Sequence, residues 1–194
     1  MTWLFDGLNL SSMGLLADQH QMLIKWDLVN ISPVQLIQTD FVEKVKMTME
    51  EFELTPSIIQ LEITETAPIL EFRQIMGNLI ELRKLGFKIH LDDFGIGYSS
   101  LAYLKNLPVD VVKIDKSFID DIQHHPLEKP ILESIVQLLN NINLKVTVEG
   151  VENLEEIQFL SNIQCHYLQG YYFSKPKPEE EIFNMELVNL IYQF

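Results

Sequence analysis

The sequence predicts an α/β fold: a TIM-type β/α barrel, incomplete, with about six strand–helix units where a closed barrel has eight. Three observations predict it. Short Val- and Ile-rich runs alternate with amphipathic stretches along nearly the whole chain, which implies a parallel sheet with crossover helices. Ionisable and amide residues recur at the carboxyl ends of those runs, the edge where a β/α barrel keeps its chemistry. At 194 residues and 47% apolar content, the chain can bury a sizeable core.

Residues 1–25 are poorly defined, because Gly7, Gly14 and the turn-forming run Asn9–Ser12 interrupt a leucine pattern. Trp26–Ile31 reads as the first strand. Ser32-Pro33 then caps a helix, and Thr39-Asp40 starts a second, with Phe41, Val45 and Met49 at helical spacing. After Pro56 comes the strand Ile58–Thr64. Pro68 opens a helix in which Ile75, Leu79 and Leu82 repeat at i, i+4, i+7, and Gly86 closes it. Phe87, Ile89 and Leu91 alternate with Lys88 and His90, so a strand leads into Asp92-Asp93 and the glycine-bearing loop Phe94–Ser100. A short helix around Leu101–Leu104 precedes Pro108 and the strand Val109–Asp115. Helix Pro130–Asn141, strand Lys145–Glu149, helix Leu154–Ile163, strand Cys165–Phe173 and a last helix near Glu179–Tyr192 complete the series. The expected organisation is one domain over 1–194, with its core at 26–176 and a C-terminal helix within 177–194.

The net charge of −14 opposes binding to DNA, RNA or an anionic membrane. The lone Cys165 cannot form an internal disulfide, no apolar run approaches a membrane span, and the N-terminus is a poor signal peptide. A cytoplasmic location is expected.

Side chains two apart share a strand face. Glu62 therefore lies with Gln60 and Thr64, Asp92 with His90, Lys113 with Asp115, and Glu149 with Thr147. Asn30, Glu62, Asp92, Asp93, Lys113, Asp115 and Glu149 thus mark successive strand ends. Burying such groups unpaired is too costly for core filling. Converging carboxylates and an amide repel one another unless cations lie between them, and oxygen ligands favour Mg²⁺, Mn²⁺ or Ca²⁺. Two ions roughly 3.5–4 Å apart could hold a phosphodiester for in-line attack by water, with Lys113 facing the anion. The same residues could instead form an internal ion-pair network of Lys113 with Asp115 or Glu149. A third chemistry, Lys113 as a Schiff-base lysine, is disfavoured because neighbouring carboxylates keep a lysine protonated.

The run LDDFGIGYSSLAYLKNLPVDVVKIDKSFI closely resembles the central signature of EAL domains, phosphodiesterases that cleave cyclic di-GMP. VNIS (Val29–Ser32), LEITET (Leu61–Thr66), VEGVEN (Val148–Asn153) and LQGYYFSKP (Leu168–Pro176) match in order and spacing. The resemblance implies Asn30, Glu62, Asp92, Asp93 and Glu149 as ligands of a Mg²⁺ or Mn²⁺ pair. It also implies catalytic parts for Lys113 beside the scissile phosphate, Glu149, Gln169 as positioner of the water, and Asp115. Glu65 is expected to steady the loop Phe94, Gly95, Gly97, Tyr98 and Ser99, which in the family couples the metal site to dimerisation; Glu152 lies just beyond Glu149. The implied reaction gives linear pGpG.

No Glu-Ala-Leu motif, and none of the arginine that follows it, occurs here. The expectation is an N-terminally truncated EAL domain with a weakened metal site and exposed sheet edges that favour pairing with another chain. The alternative is a noncatalytic EAL-like module that binds cyclic di-GMP or a protein partner.

Overall fold

The protein is described from a computed structural model over residues 27–64, 72–96, 104–120, 122 and 125–178. The described elements are β1 (Asp27–Ile31), α1 (Pro33–Leu36), α2 (Phe41–Glu51), β2 (Ile59–Thr64), α3 (Phe72–Lys84), β3 (Lys88–Phe94), β4 (Val111–Ile114), α4 (Glu128–Asn141), β5 (Lys145–Val148), α5 (Leu154–Asn162) and β6 (Tyr167–Leu168). A single 3₁₀ turn, Lys116–Phe118, follows β4. The chain forms two compact units, the first over 1–91 and 106–109, the second over 92–105 and 110–194. β3 gives its first residues to one unit and Asp92–Phe94 to the other.

In the first unit the strands lie in the order β1, β2, β3. β1 and β2 pair in parallel with Asn30 opposite Glu62. Ser32 caps α1 as expected: its hydroxyl accepts from the Gln35 N–H at 3.3 Å, while the Gln35 side chain accepts from the Ser32 N–H at 2.9 Å. α2 starts at Phe41, but Asp40 caps no backbone group; its carboxylate pairs with Lys44 at 2.9 Å. Phe41, Val45 and Met49 are buried along α2, and Ile75, Leu79 and Leu82 along α3, at the spacings read from the sequence. Each of these contributes roughly 1.5–3 kcal/mol of burial, so packing of one apolar stripe rather than helix propensity holds α3 in place.

The buried Asn78 on α3 makes a polar tie that hydrophobic periodicity does not announce. Its amide donates to the carbonyls of Leu36 at 2.7 Å and Gln38 at 3.0 Å. Asn78→Leu is expected to destabilise the protein by about 2–4 kcal/mol, since both carbonyls lose their donor inside the unit. Urea unfolding, read as a lower midpoint at unchanged slope, checks it.

In the second unit β4, β5 and β6 follow the end of β3 in order, with β4–β5 and β5–β6 parallel. Leu132, Val136 and Leu139 form the buried stripe of α4. The strand boundaries differ from the sequence reading in a consistent way. β4 and β6 are shorter than expected: β4 begins only at Val111, although the Asp110 carbonyl already accepts from the Lys145 N–H at 3.1 Å, and after β6 the Gly170 carbonyl accepts from Phe173 and Ser174 in a turn. β3 is longer and runs through the Asp pair. The helix starts near Pro68 and Leu101 and the helix Glu179–Tyr192 lie outside the described residues. No described helix is long and apolar enough to cross a membrane.

Candidate active site

In the first unit, Asn30 and the buried Glu62 stand side by side at the carboxyl ends of β1 and β2. One layer back, Gln60 and His90 hydrogen-bond through Oε1 and Nε2. The sequence reading placed these residues on strand faces but did not pair them.

The second unit holds the centre of the site. Lys113 projects from fully buried β4, and its ammonium lies 2.7 Å from Glu149 Oε1 and 3.0 Å from Asp92 Oδ1. The side chains are 6%, 19% and 18% exposed respectively, so this is a largely desolvated group rather than a surface pair. Charges at these distances interact far more strongly here than in water. Two carboxylates at these distances favour the ammonium form, which has no lone pair with which to attack a carbonyl, and so weigh against the Schiff-base chemistry. Lys113 thus pairs with Glu149, one of the partners the ion-pair alternative names, and also with Asp92.

Asp92 Oδ1 is buried and, although within ion-pair distance of Lys113, receives no directed hydrogen bond. A buried carboxylate oxygen with a lone pair left undirected suits a hard divalent cation, as does a donor set made of oxygen alone. Among the described residues no three His, Cys, Asp or Glu side chains are already grouped around one point. Asp92 and Glu149 instead converge on Lys113. Asp93 has φ 58, a left-handed conformation that interrupts the face alternation expected of neighbouring strand residues. Asp is among the residues that tolerate it.

Asp115 has a definite local task. Its Oδ1 accepts from the Ser117 N–H at 2.9 Å, capping the 3₁₀ turn. Partial burial alone would raise its pKa, but the Ser117 hydrogen bonds and nearby Lys116 outweigh it and hold the carboxyl below its usual range. That turn packs against both loops that carry the acids. A Cβ on Gly95 would lie 2.2 Å from Phe118 Cε2, and one on Gly150 would lie 2.4 Å from Lys116 Cβ. Gly150 also has φ 78. Gly150→Ala therefore combines backbone strain with a collision beside Glu149. It is expected to lower thermal stability and to displace Glu149 by roughly an ångström. Crystallography of the variant checks the displacement.

Glu149 follows β5 directly, with its N–H donating to the Ile114 carbonyl at 3.1 Å. Gln169 follows β6, its backbone fixed by bonds to Val148 O at 2.9 Å and from Val151 N at 3.0 Å. The Glu149 and Gln169 loops are therefore laced together. Glu152 is exposed and contributes its N–H, at 2.7 Å, to the carboxylate of Glu156. Buried Glu156 is the residue that sequence reasoning missed: it also accepts from the Asn153 N–H at 3.3 Å and from the Asn153 amide, while Asn153 caps α5. Asn followed three residues later by Glu is a capping-box signature, and it was there to be read. Phe94 is buried and Gly95 exposed. Glu65, Gly97, Tyr98 and Ser99 lie outside the described residues.

The comparisons with known proteins agree with this geometry. The EAL domain family matches residues 8–176, beginning ahead of the motifs quoted from Val29 onward. The chain is 40% identical over 153 residues to the signaling protein YkoW of Bacillus subtilis, covering 79% of this chain and 19% of YkoW. It thus spans about a fifth of the length of the first curated relatives it matches. Among solved structures it resembles the MucR phosphodiesterase of Pseudomonas aeruginosa in complex with c-di-GMP (TM-score 0.78, 34% identity, 89% of this chain and 69% of that one). It also resembles Klebsiella pneumoniae BlrP1 in complex with manganese and cyclic di-GMP (TM-score 0.72, 31% identity, 86% of this chain and 42% of that one). With the family matched across both units and over most of its length, this chain belongs to the EAL-domain family.

Proposed function

We propose that this chain hydrolyses one phosphodiester of cyclic di-GMP to linear pGpG. The observation that carries the reading is the buried Lys113 ammonium set between Asp92 and Glu149. In that position Lys113 can receive a phosphate oxygen and stabilise the charge that develops on it during attack. Glu149, held at the mouth of β5 by its own backbone bond, is placed to take the proton of the attacking water. Gln169, on the loop laced to Val148 and Val151, supplies an amide that orients that water. Asp92, Asp93 and Glu149 would hold Mg²⁺ or Mn²⁺ in the second unit, and Asn30 with Glu62, side by side on β1 and β2, would serve as metal ligands in the first. When bound, such ions polarise the phosphodiester and lower the pKa of water. Asp115 acts in this reading by keeping the 3₁₀ turn against both acid-bearing loops.

The experiment is incubation of the purified chain with cyclic di-GMP and Mn²⁺ or Mg²⁺, following pGpG. Metal-dependent appearance of pGpG supports the reading. Saturable binding of cyclic di-GMP without turnover in either metal would replace it with the noncatalytic module. The same reading includes a homodimer, which light scattering tests.

A further inference from the structure

At the opposite end of β5 and β6 from Glu149 and Gln169, the second unit carries a cavity of about 860 Å³. Strand rise puts Lys145, which lines it, roughly 13 Å along β5 from Glu149. Lys145, His166 and Tyr167 line it from the starts of the strands, and Asn140, Asn143 and Gln164 from the ends of α4 and α5. No Asp or Glu among the described residues lines it, in a chain with 28 acidic and 14 basic residues.

The lining groups are specific in what they leave to offer. Lys145 Nζ donates to the Tyr167 hydroxyl at 3.0 Å and lies 5.5 Å from the centroid of that ring, neutral partners that leave its charge uncompensated. His166 Nδ1 accepts from the Val146 N–H at 3.2 Å, so the neutral ring carries its proton on Nε2 as a donor. Burial, helped by the Lys145 charge, holds the His166 pKa below its ordinary value. Burial pushes the neighbouring Cys165 thiol up to about 12, so it adds no negative charge. Asn140 donates through Nδ2 to the Gln164 carbonyl at 3.3 Å, which ties the two helix ends of the wall together.

Two helix C-termini face the same cavity, and their partial negative charge would oppose an anion. Both are capped from within. Asn143 and Gln164 are left-handed, with φ 61 and 63. The N–H groups of Asn143 and Leu144 bond the Asn140 and Leu139 carbonyls at 3.0 Å, and those of Gln164 and Cys165 bond Ser161 and Leu160 at 3.3 Å. Those carbonyls are thus partnered, and Lys145 is not needed to cap them.

We propose that this cavity binds a small organic anion. Its acidic group meets the Lys145 ammonium and the His166 Nε2–H. A carboxylate and a phosphate share the required chemistry, and two probes separate them. The full chain is titrated without added metal, by calorimetry and by ¹H–¹⁵N NMR, with citrate and separately with adenosine 5′-monophosphate. At least one probe is expected to saturate with a Kd below about 1 mM and to shift the side-chain amides of Asn140, Asn143 and Gln164. Loss of a charge-assisted hydrogen bond in Lys145→Met weakens that binding about tenfold or more. His166→Phe, which removes the Nε2–H donor, also weakens it, and keeps the test open should Lys145→Met not fold. Glu149→Gln leaves it unchanged. The proposal is overturned if neither probe saturates in that range, if binding survives both cavity variants, or if the shifts fall on the Asp92, Lys113 and Glu149 loops instead. Loss of cyclic di-GMP turnover bears on the other end of the strands and leaves this result independent.

Discussion

Lys113→Met removes the cation that Asp92 and Glu149 share, and is expected to give the largest combined loss of stability and activity of any single change in this protein. Both carboxylates are more than four-fifths buried and lie within 3.0 Å of the ammonium. Breaking a buried pair by deleting one partner costs about 3–5 kcal/mol, because the remaining charge stays desolvated without compensation. Here two charges are stranded, so the upper part of that range applies. The variant should melt well below the wild type at pH 7. Added Mn²⁺ should raise its melting temperature more than that of the wild type, since a divalent cation can take over the neutralising role. Turnover should fall by about 100-fold to 1000-fold through loss of a donor to the developing charge. A Lys113→Met protein that melts like the wild type in metal-free buffer would remove the case for a stressed, largely buried acid pair.

Glu149→Gln separates chemistry from folding. The amide is nearly isosteric and can still reach the Lys113 region, and the backbone bond from Glu149 N to Ile114 O is untouched. Only the charge and the ability to accept a proton are lost. Loss of a positioned general base costs about 10²–10⁴-fold in rate. Stability should change little, because removing one of two carboxylates around one ammonium leaves the Asp92–Lys113 pair neutral. Melting curves alongside pGpG formation provide the check: near-normal melting with turnover lowered by at least about 100-fold is the expected pairing. Full activity in this variant would move the base elsewhere, with Glu62 the next residue to test.

Much of the site was legible as a set of strand ends. Asn30, Glu62, Asp92, Lys113 and Glu149 all fall at or just beyond the carboxyl ends of their strands, as the alternation of Val and Ile with polar residues predicts. Ser32 as a cap and the buried stripe of Ile75, Leu79 and Leu82 were equally legible, because both depend on neighbours within a few residues. The reading was less successful where two segments meet. Asp115 was read as a strand-end site acid, and its capping of a 3₁₀ turn was not read at all. Asn78 and the His90–Gln60 bond stood out as nothing more than polar residues in helices and strands, whereas the local Asn153–Glu156 capping box was legible and overlooked.

Period-two and period-3.6 patterns and local caps are properties of the chain alone, so residue order is enough to read which side each residue faces, where strands yield to loops, and which family the motifs resemble. Which charges meet depends on packing. Face alternation puts Lys113 on a side of β4, but only parallel register with β5 and the end of β3 bring its ammonium to Glu149 and Asp92 together. Packing also decides why glycine stands at 95 and 150, since the Phe118 and Lys116 atoms that exclude a Cβ arrive from another segment. Electrostatic and steric contacts act over a few ångströms of space, and separation along the chain does not encode that distance.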